Sequence, residues 1–339
     1  MTVGRRPMKH LQTSCARHNK TKYLFPAAAL FFVLAAAVGI VFGSTRIGFS
    51  ELFSDTGIKI LVYVRLPRVF ACLVSGAALA LSGCVIQSVL ANRLASPSII
   101  GVNAGAGLAV TACAALGIYG GLATSVFSFA GAFVSVLLIT VGAKKWGRSK
   151  GTVILAGVAL NSLLGALSSA IITLDPDAGV MSNDFRVGDF SSVTYDRLIP
   201  AAIIILIASA IVLMLSSDLD IIGMGEDHAK SLGMNTARMR TVFLILAAAL
   251  AGCAVSLAGL LSFVGLIVPN AIRKIVGSRS RLLLPLSAFF GGGFVCICDT
   301  AARTLFSPYE IPVGIIMAFI GAPFFIFLLI KGGHRDDRA

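Results

Sequence analysis

The residues best placed to do chemistry are charges and amides set against apolar runs. Arg65 and Arg68 stand three apart in the stretch YVRLPRVFACLVSGAALALSG, residues 63–83, at the mouth of a long uncharged segment. Residues at that spacing share one face of a helical turn. Such a pair can snorkel to lipid headgroups at a helix end, or can offer a basic patch to an acidic partner. The residues alone permit both. Asp299 precedes Arg303 by four positions, the spacing of a local ion pair on a helix. Asn161 is an amide in the middle of an apolar run, able to face water or to bond a neighbouring helix. With Gly165, one turn on, it marks a candidate wall of a pathway. These are groups for binding and orientation rather than for bond making.

Catalytic patterns are missing. There is no G-x-x-x-x-G-K-[ST], and the triplet Gly291-Gly292-Gly293 has no lysine after it. There is no H-E-x-x-H, no nucleophile elbow, and no His, Asp and Glu at metal spacing. The seven cysteines lie mostly inside apolar runs; Cys296 and Cys298, two apart, point to nearly opposite faces of a helix. They read as small packing residues. The sequence therefore predicts no catalytic residue, no cofactor and no metal site in this chain. It also lacks the row of arginines of a voltage sensor, and its apolar runs hold almost no acid apart from Asp299. An ion-coupled carrier acting alone needs such groups. If the protein moves a solute uphill, the energy is expected to come from another subunit.

The elements that carry these residues are membrane helices. The chain is 57% hydrophobic and 13% charged over 339 residues, and its mean hydropathy is +0.93. A soluble domain cannot hide so much apolar surface. Uncharged runs of about 20 residues recur along the length, as in an all-α integral membrane protein. Ten are expected, at about 23–43, 67–87, 97–117, 120–142, 151–174, 198–217, 241–260, 261–272, 281–299 and 311–330. The first is long for a signal peptide and is read as an anchor that stays. The uncharged stretch 241–272 would span about 48 Å as one helix, too long for one crossing. Arginines precede it and Arg273 and Lys274 follow it, so it is expected to go in and come back, turning near residues 256–262 at Gly259. One arm must be short, and Pro269 favours the second.

With ten crossings and both termini cytoplasmic, the inner segments hold about three times as many Lys and Arg as the outer ones, as the positive-inside bias requires. The net charge of +13 is then mainly topological, and nucleic acid is not an expected partner. Residues 1–22 form a basic cytoplasmic tail, 23–331 the membrane domain and 332–339 a second cytoplasmic tail. Arg65, Arg68 and Arg303 fall outside, against the bias.

Two patterns remain. Small residues recur every fourth position at Gly76, Ala80 and Cys84, at Gly157, Asn161, Gly165 and Ser169, and at Gly314, Ala318 and Ala322. Close helix packing explains such stripes, and a pathway wall is the alternative. The cytoplasmic segment SDLDIIGMGEDHAKSLGMNTARMR, residues 217–240, is longer than a connector needs. Glu226 and Asp227 fit the first turn of a short helix and Gly233 its end. Two short helices here would make a platform for a soluble partner.

At these residues the sequence resembles the permease subunits of binding-protein-dependent ABC importers for iron–siderophores, haem and cobalamin, the FecCD-like family. The blocks RLPRVFACLVSGAALALSGCVIQSVLANRLASPSIIGVNAGAGLAV, EDHAKSLGMNTARMR, LAGLLSFVGLIVPNAIRKIVG, LLLPLSAFFGGGFVCICDTAART and EIPVGIIMAFIGAPFFIFLLIK carry the resemblance, which covers nearly everything after residue 60. It implies the membrane domain of a type II importer in a bacterial cell membrane. It implies a second permease subunit, a cytoplasmic ABC ATPase that uses the ATP, and an external substrate-binding protein. It implies that Arg65, Arg68 and Arg303 dock that binding protein. It implies that Glu226, Asp227, Ala229, Leu232, Gly233 and Arg238 lie at the ATPase contact. Two departures stand out: Arg93 where the family often has proline, and Asn270 where it commonly has histidine. The loop Phe185-Arg186-Val187-Gly188-Asp189 also departs from the pattern.

Overall fold

The computed structural model describes the backbone over residues 9–43, 54–146 and 150–336. The regular structure among these residues is all helical, with no strand. In chain order the helices are α1 Lys9–Val41, α2 Asp55–Ile60, α3 Leu66–Val89, α4 Val102–Ala115, α5 Gly121–Trp146, α6 Lys150–Leu174, α7 Pro176–Met181, α8 Asn183–Val187, α9 Tyr195–Met214, α10 Ser216–Gly223, α11 Glu226–Ser231, α12 Thr236–Ala258, α13 Val264–Val276, α14 Ser280–Thr304 and α15 Val313–Asp336. Each of the ten expected apolar segments falls on one of them. Seven are long and apolar enough to cross a membrane, and α4 and the apolar part of α15 are shorter. The tail expected over 1–22 is helical from Lys9 and continuous with the first span. The positive-inside count also rests on Arg46 and on the basic residues of 1–22, 144–150 and 331–338, which lie outside the described side chains.

The core is α3, with 83% of its apolar window buried, flanked by α12 and α14. Small residues let these helices touch. A Cβ on Gly76 would lie 2.3 Å from the Gly291 carbonyl oxygen, and one on Gly291 would lie 2.5 Å from the Gly76 oxygen. The stripe that begins at Gly76 is therefore packing. Along the outside of α14, α1 is held by a stacked Phe31–Phe290 pair and an edge-on Phe32–Phe289 pair. At the other extreme α6 has only 6% of its window buried.

Three irregularities shape the site. First, α3 does not start at residue 67. Ser54 caps α2 by accepting from Gly57 N–H, and the helix runs on through a π-turn, Leu61–Arg65, into α3. Pro67 lacks the N–H that would bond the carbonyl four residues back, and the wider turn absorbs that defect. Arg65 and Arg68 thus sit inside a continuous helix and not at its mouth.

Second, the expected third span, 97–117, is helical only from Val102 to Ala115. Residues 90–101 are irregular, and α4 begins after Gly101, whose φ of +87° suits glycine. Non-helical backbone at membrane depth must find partners inside the protein. Asn161 Nδ2 donates to the Ser98 carbonyl at 2.9 Å, and Ser135 Oγ donates to the Gly101 carbonyl at 2.8 Å.

Third, the stretch 241–272 breaks where expected. Helix α12 ends at Ala258, Gly259 takes φ +70°, and α13 restarts at Val264 after a left-handed Phe263. The second arm is the short one and contains Pro269. The segment after α8 fills the break: Leu260 N–H donates to the Phe185 carbonyl and Asp189 N–H to the Ala258 carbonyl. At Gly259 a Cβ would strike the Phe185 oxygen at 2.3 Å, so the turn admits no larger residue.

Candidate functional site

At the end of the molecule where α1, α14 and the α2–α3 junction meet, the three arginines expected to face outward form one buried group. Arg65, Arg68 and Arg303 are 4%, 5% and 2% exposed. Arg68 lays its guanidinium on Asp299, with Nε 3.1 Å from Oδ1 and Nη2 3.0 Å from the same oxygen. Its Nη1 donates to Glu310 Oε2 at 2.7 Å, and Asp189 Oδ1 lies 3.7 Å from Nη2. Arg303 Nε sits 2.9 Å from Asp299 Oδ2, the i,i+4 ion pair that the spacing predicts. One arginine therefore ties the start of α3 to the end of α14 and to the loops that lead into α15 and α9.

The other two arginines close α1. Arg65 Nη1 donates to the Ile40 and Val41 carbonyls, and Arg303 Nη2 donates to the Gly39 carbonyl. The last carbonyls of a helix have no partner within it and carry partial negative charge. Cations supply both needs there. The site is thus a charge-balanced clamp, and an acidic partner that reached these arginines would meet groups already engaged.

Sequence spacing does not reveal a fourth arginine, Arg197, at the start of α9. It is buried, with Nε 2.6 Å from Ser125 Oγ, Nη1 on the Ser192 carbonyl and hydroxyl, and Nη2 on the Ser256 carbonyl. It fastens α9 to α5 and α12. Its partners are hydroxyls and carbonyls scattered over the chain, so no charge pattern announces it.

At the opposite end, the segment between α9 and α12 forms two short helices, α10 and α11, as expected. Glu226 and Asp227 occupy the first turn of α11, and Gly233 follows its end at φ +79°. Glu226 pairs with Lys230 at 3.2 Å and with Arg240 of α12 at 3.1 Å, so one carboxylate fixes α11 to the next span. Ala229 is buried against the chain, whereas Leu232 and Met224 are each 66% exposed, and Asp227 and Arg238 are exposed. Of the residues expected at a partner contact, all but Ala229 are on or near the surface. Two large apolar side chains facing out from a polar segment suit a docking platform.

Hydrogen bonding by Lys230, seconded by Arg240, holds the Glu226 carboxyl below the ordinary carboxylate range. A lowered pKa means that its tether is complete above that range and is lost only as acid protonates it. At neutral pH, Glu226→Gln should loosen α11 and leave the spans intact. Hydrogen exchange of the α11 amides should quicken while α3 stays protected; equal protection in both proteins would show that the tether does not hold α11.

Along α6 the second stripe divides. Gly157 packs on the Ile99 carbonyl, where a Cβ would lie at 2.2 Å, and Asn161 bonds the same stretch. A Cβ on Gly165 would meet nothing within 4 Å, and the residue is exposed. Asn161 is a packing residue on its donor side, but its Oδ1 is buried without a partner. The third stripe begins with packing, since a Cβ on Gly314 would strike the Val187 carbonyl. The two departures from the family pattern touch each other: Asn270 Nδ2 donates to the Arg93 carbonyl at 2.9 Å.

Comparison with known proteins decides what this arrangement belongs to. The model of the FecCD transport family matches residues 28–331. The chain belongs to that family. It is 32% identical to the Fe(3+)-citrate import system permease protein YfmD of Bacillus subtilis (strain 168), over 93% of this chain and 97% of that protein. It is 31% identical to the hemin transport system permease protein HmuU of Yersinia pestis, over 93% and 98%. It is 37% identical to the vitamin B12 import system permease protein BtuC of Vibrio vulnificus (strain CMCP6), over 89% and 92%. A solved inward-facing conformation of a metal-chelate type ABC transporter superposes with a TM-score of 0.82 at 31% identity, covering 91% of this chain and 99% of that one. This FecCD-family chain is accordingly a membrane-spanning permease of the ABC importer type, with α3, α12 and α14 as its packed centre.

Proposed function

We propose that this permease carries an iron–siderophore complex inward through a pathway shared with a second permease subunit, driven by a separate ATPase. The observation that carries the transport reading is the family match over nearly the whole membrane domain. The cargo class follows from the relatives, whose substrates are ferric citrate, haem and vitamin B12. All are metal chelates, and haem and cobalamin are the alternatives to a siderophore here.

In this reading α10 and α11 are the ATPase contact, with Leu232, Met224 and Arg238 outermost and Ala229 behind them. ATPase closure pushes on α11, and the Glu226–Arg240 pair passes the displacement to α12 as a rigid-body step. The weakly buried α6, with Gly165 open, faces the pathway or the second subunit. A substrate-binding protein docks on the outer end. To use Arg65, Arg68 and Arg303 its acids must replace Asp299, Glu310 or the α1 carbonyls, so docking is an exchange of partners. Both termini and the α10–α11 platform lie in the cytoplasm, the side favoured by the basic residues.

The test is uptake into vesicles that contain this chain, its ATPase and its binding protein, with labelled ferric siderophore, haem and cobalamin offered in turn. ATP-dependent uptake of the siderophore supports the proposal; uptake of haem or cobalamin alone overturns the cargo. Transport that persists without ATP and collapses with an ionophore would mean a secondary carrier. In the same complex, cysteines at 224, 232 and 238 should crosslink to the ATPase and one at 229 should not.

A further inference from the structure

A cleft of about 520 Å³ opens where α3 and α13 end, on the same face as α10. Arg93, Arg273 and Arg279 line it together with Gln87, Ser88 and Asp220. Three positive charges face one negative one. That one is committed elsewhere, because Asp220 Oδ1 accepts from the backbone N–H of Ser280 at 2.8 Å, at the start of α14. Arg93 and Arg279 are exposed and make no ion pair among the described residues.

Arg273 is held in place. Arg273 Nη1 donates to Gln87 Oε1 at 2.8 Å and to Asn270 Oδ1 at 3.1 Å. The Gln87 amide in turn donates to the Gly265 carbonyl at 3.1 Å, which fixes its orientation. The same Asn270 donates to the Arg93 carbonyl at 2.9 Å and so anchors the loop that carries the second arginine. One amide thus holds the Arg273 guanidinium and the backbone that carries Arg93, and no acid among the described residues pairs with either arginine. Like charges held together around a concavity are costly unless a counter-ion joins them. Guanidinium forks and hydroxyls match the oxygens of phosphate.

We infer that this cleft is a binding site for a phosphate group at the membrane rim, supplied by the headgroup of an anionic phospholipid. The position argues for lipid as the source. Gln87 and Arg273 belong to the last turns of two apolar helices, where the hydrocarbon boundary falls, and basic pockets between helices on the cytoplasmic side attract acidic headgroups. The inference does not depend on what the permease carries.

The full chain, purified in detergent and stripped of lipid, is titrated with phosphatidylglycerol, with phosphatidylcholine and with inorganic phosphate, and bound adducts are read by native mass spectrometry. Wild type should take up one phosphatidylglycerol in preference to phosphatidylcholine. Arg93→Ala/Arg279→Ala should bind it about thirtyfold more weakly. Both side chains are exposed, so this variant should keep the wild-type unfolding midpoint. Inorganic phosphate that binds alone, displaces the lipid and is lost in the variant would confirm the phosphate site but make its source a soluble anion. Equal binding by wild type and variant overturns the site. So does crosslinking of cysteines at 93 and 279 to the ATPase in the assembled complex, which would assign the cleft to a protein contact.

Discussion

Asp299→Asn is expected to destabilise the permease by about 3–5 kcal/mol, the cost of removing one partner from a buried ion pair. The carboxylate is 0% exposed; it accepts hydrogen bonds from Arg68 and is the ion-pair partner of Arg303. Asparagine keeps its shape and removes its charge. Two guanidinium groups then remain buried with a neutral amide between them. Arg68 still has Glu310, but Arg303 is left with a carbonyl and a hydroxyl. In detergent the unfolding midpoint of the full chain should fall by roughly 6–10 °C. Glu310→Gln is the control, because Glu310 is 31% exposed at the side chain and water can replace it. Its effect should be small. A midpoint for Asp299→Asn as high as that of Glu310→Gln would mean that the carboxylate does not hold the clamp.

That clamp shows how far the sequence alone could reach. The pair Asp299–Arg303 was legible because four residues make one helical turn. The stronger pair, Arg68–Asp299, joins residues 231 apart, and no local pattern relates them. Reading Arg65 and Arg68 as outward groups at a helix mouth followed from the first uncharged residue. The helix had begun twelve residues earlier, on a capped and partly charged stretch that hydropathy cannot recognise. The break in 241–272 was legible because length and flanking charge exclude a single straight helix. The irregular stretch 97–101, read as the start of the third span, was not, since apolar residues out of a helix look like apolar residues within one. What makes it tolerable, Asn161 and Ser135, lies on other helices. The Asn161 amide, which in mid-span could face water or bond a neighbouring helix, does bond the backbone of its neighbour through its donor side.

Gly83→Ala is expected to be among the most damaging single methyl additions in the described residues, and Gly165→Ala among the most benign. A Cβ on Gly83 would lie 1.9 Å from the Gly265 carbonyl oxygen and 2.6 Å from its Cα, so the obstacle is backbone. Neither side can retreat. Gln87, one turn on, donates to that same carbonyl, while Ser82 donates to Ala247 on the far side of α3 at 2.8 Å. Helix α3 is held between α12 and α13, and an added methyl forces apart the arm that ends in Arg273. Overpacking costs about 1–3 kcal/mol when side chains can adjust and more when they cannot. A fall in unfolding midpoint together with loss of uptake is therefore expected for Gly83→Ala. At Gly165 there is open space. Gly165→Ala should leave the midpoint unchanged, and Gly165→Phe should leave it nearly so while reducing uptake, if α6 borders the pathway. The two positions separate the meanings of a small residue in a membrane helix. At Gly83 smallness lets helices touch, so its loss is felt by the folded chain. At Gly165, if it belongs to the proposed pathway wall, smallness keeps a space open, and its loss would be felt by what passes. A stable, inactive Gly83→Ala would contradict the close α3–α13 contact, and a fully active Gly165→Phe would remove α6 from the pathway.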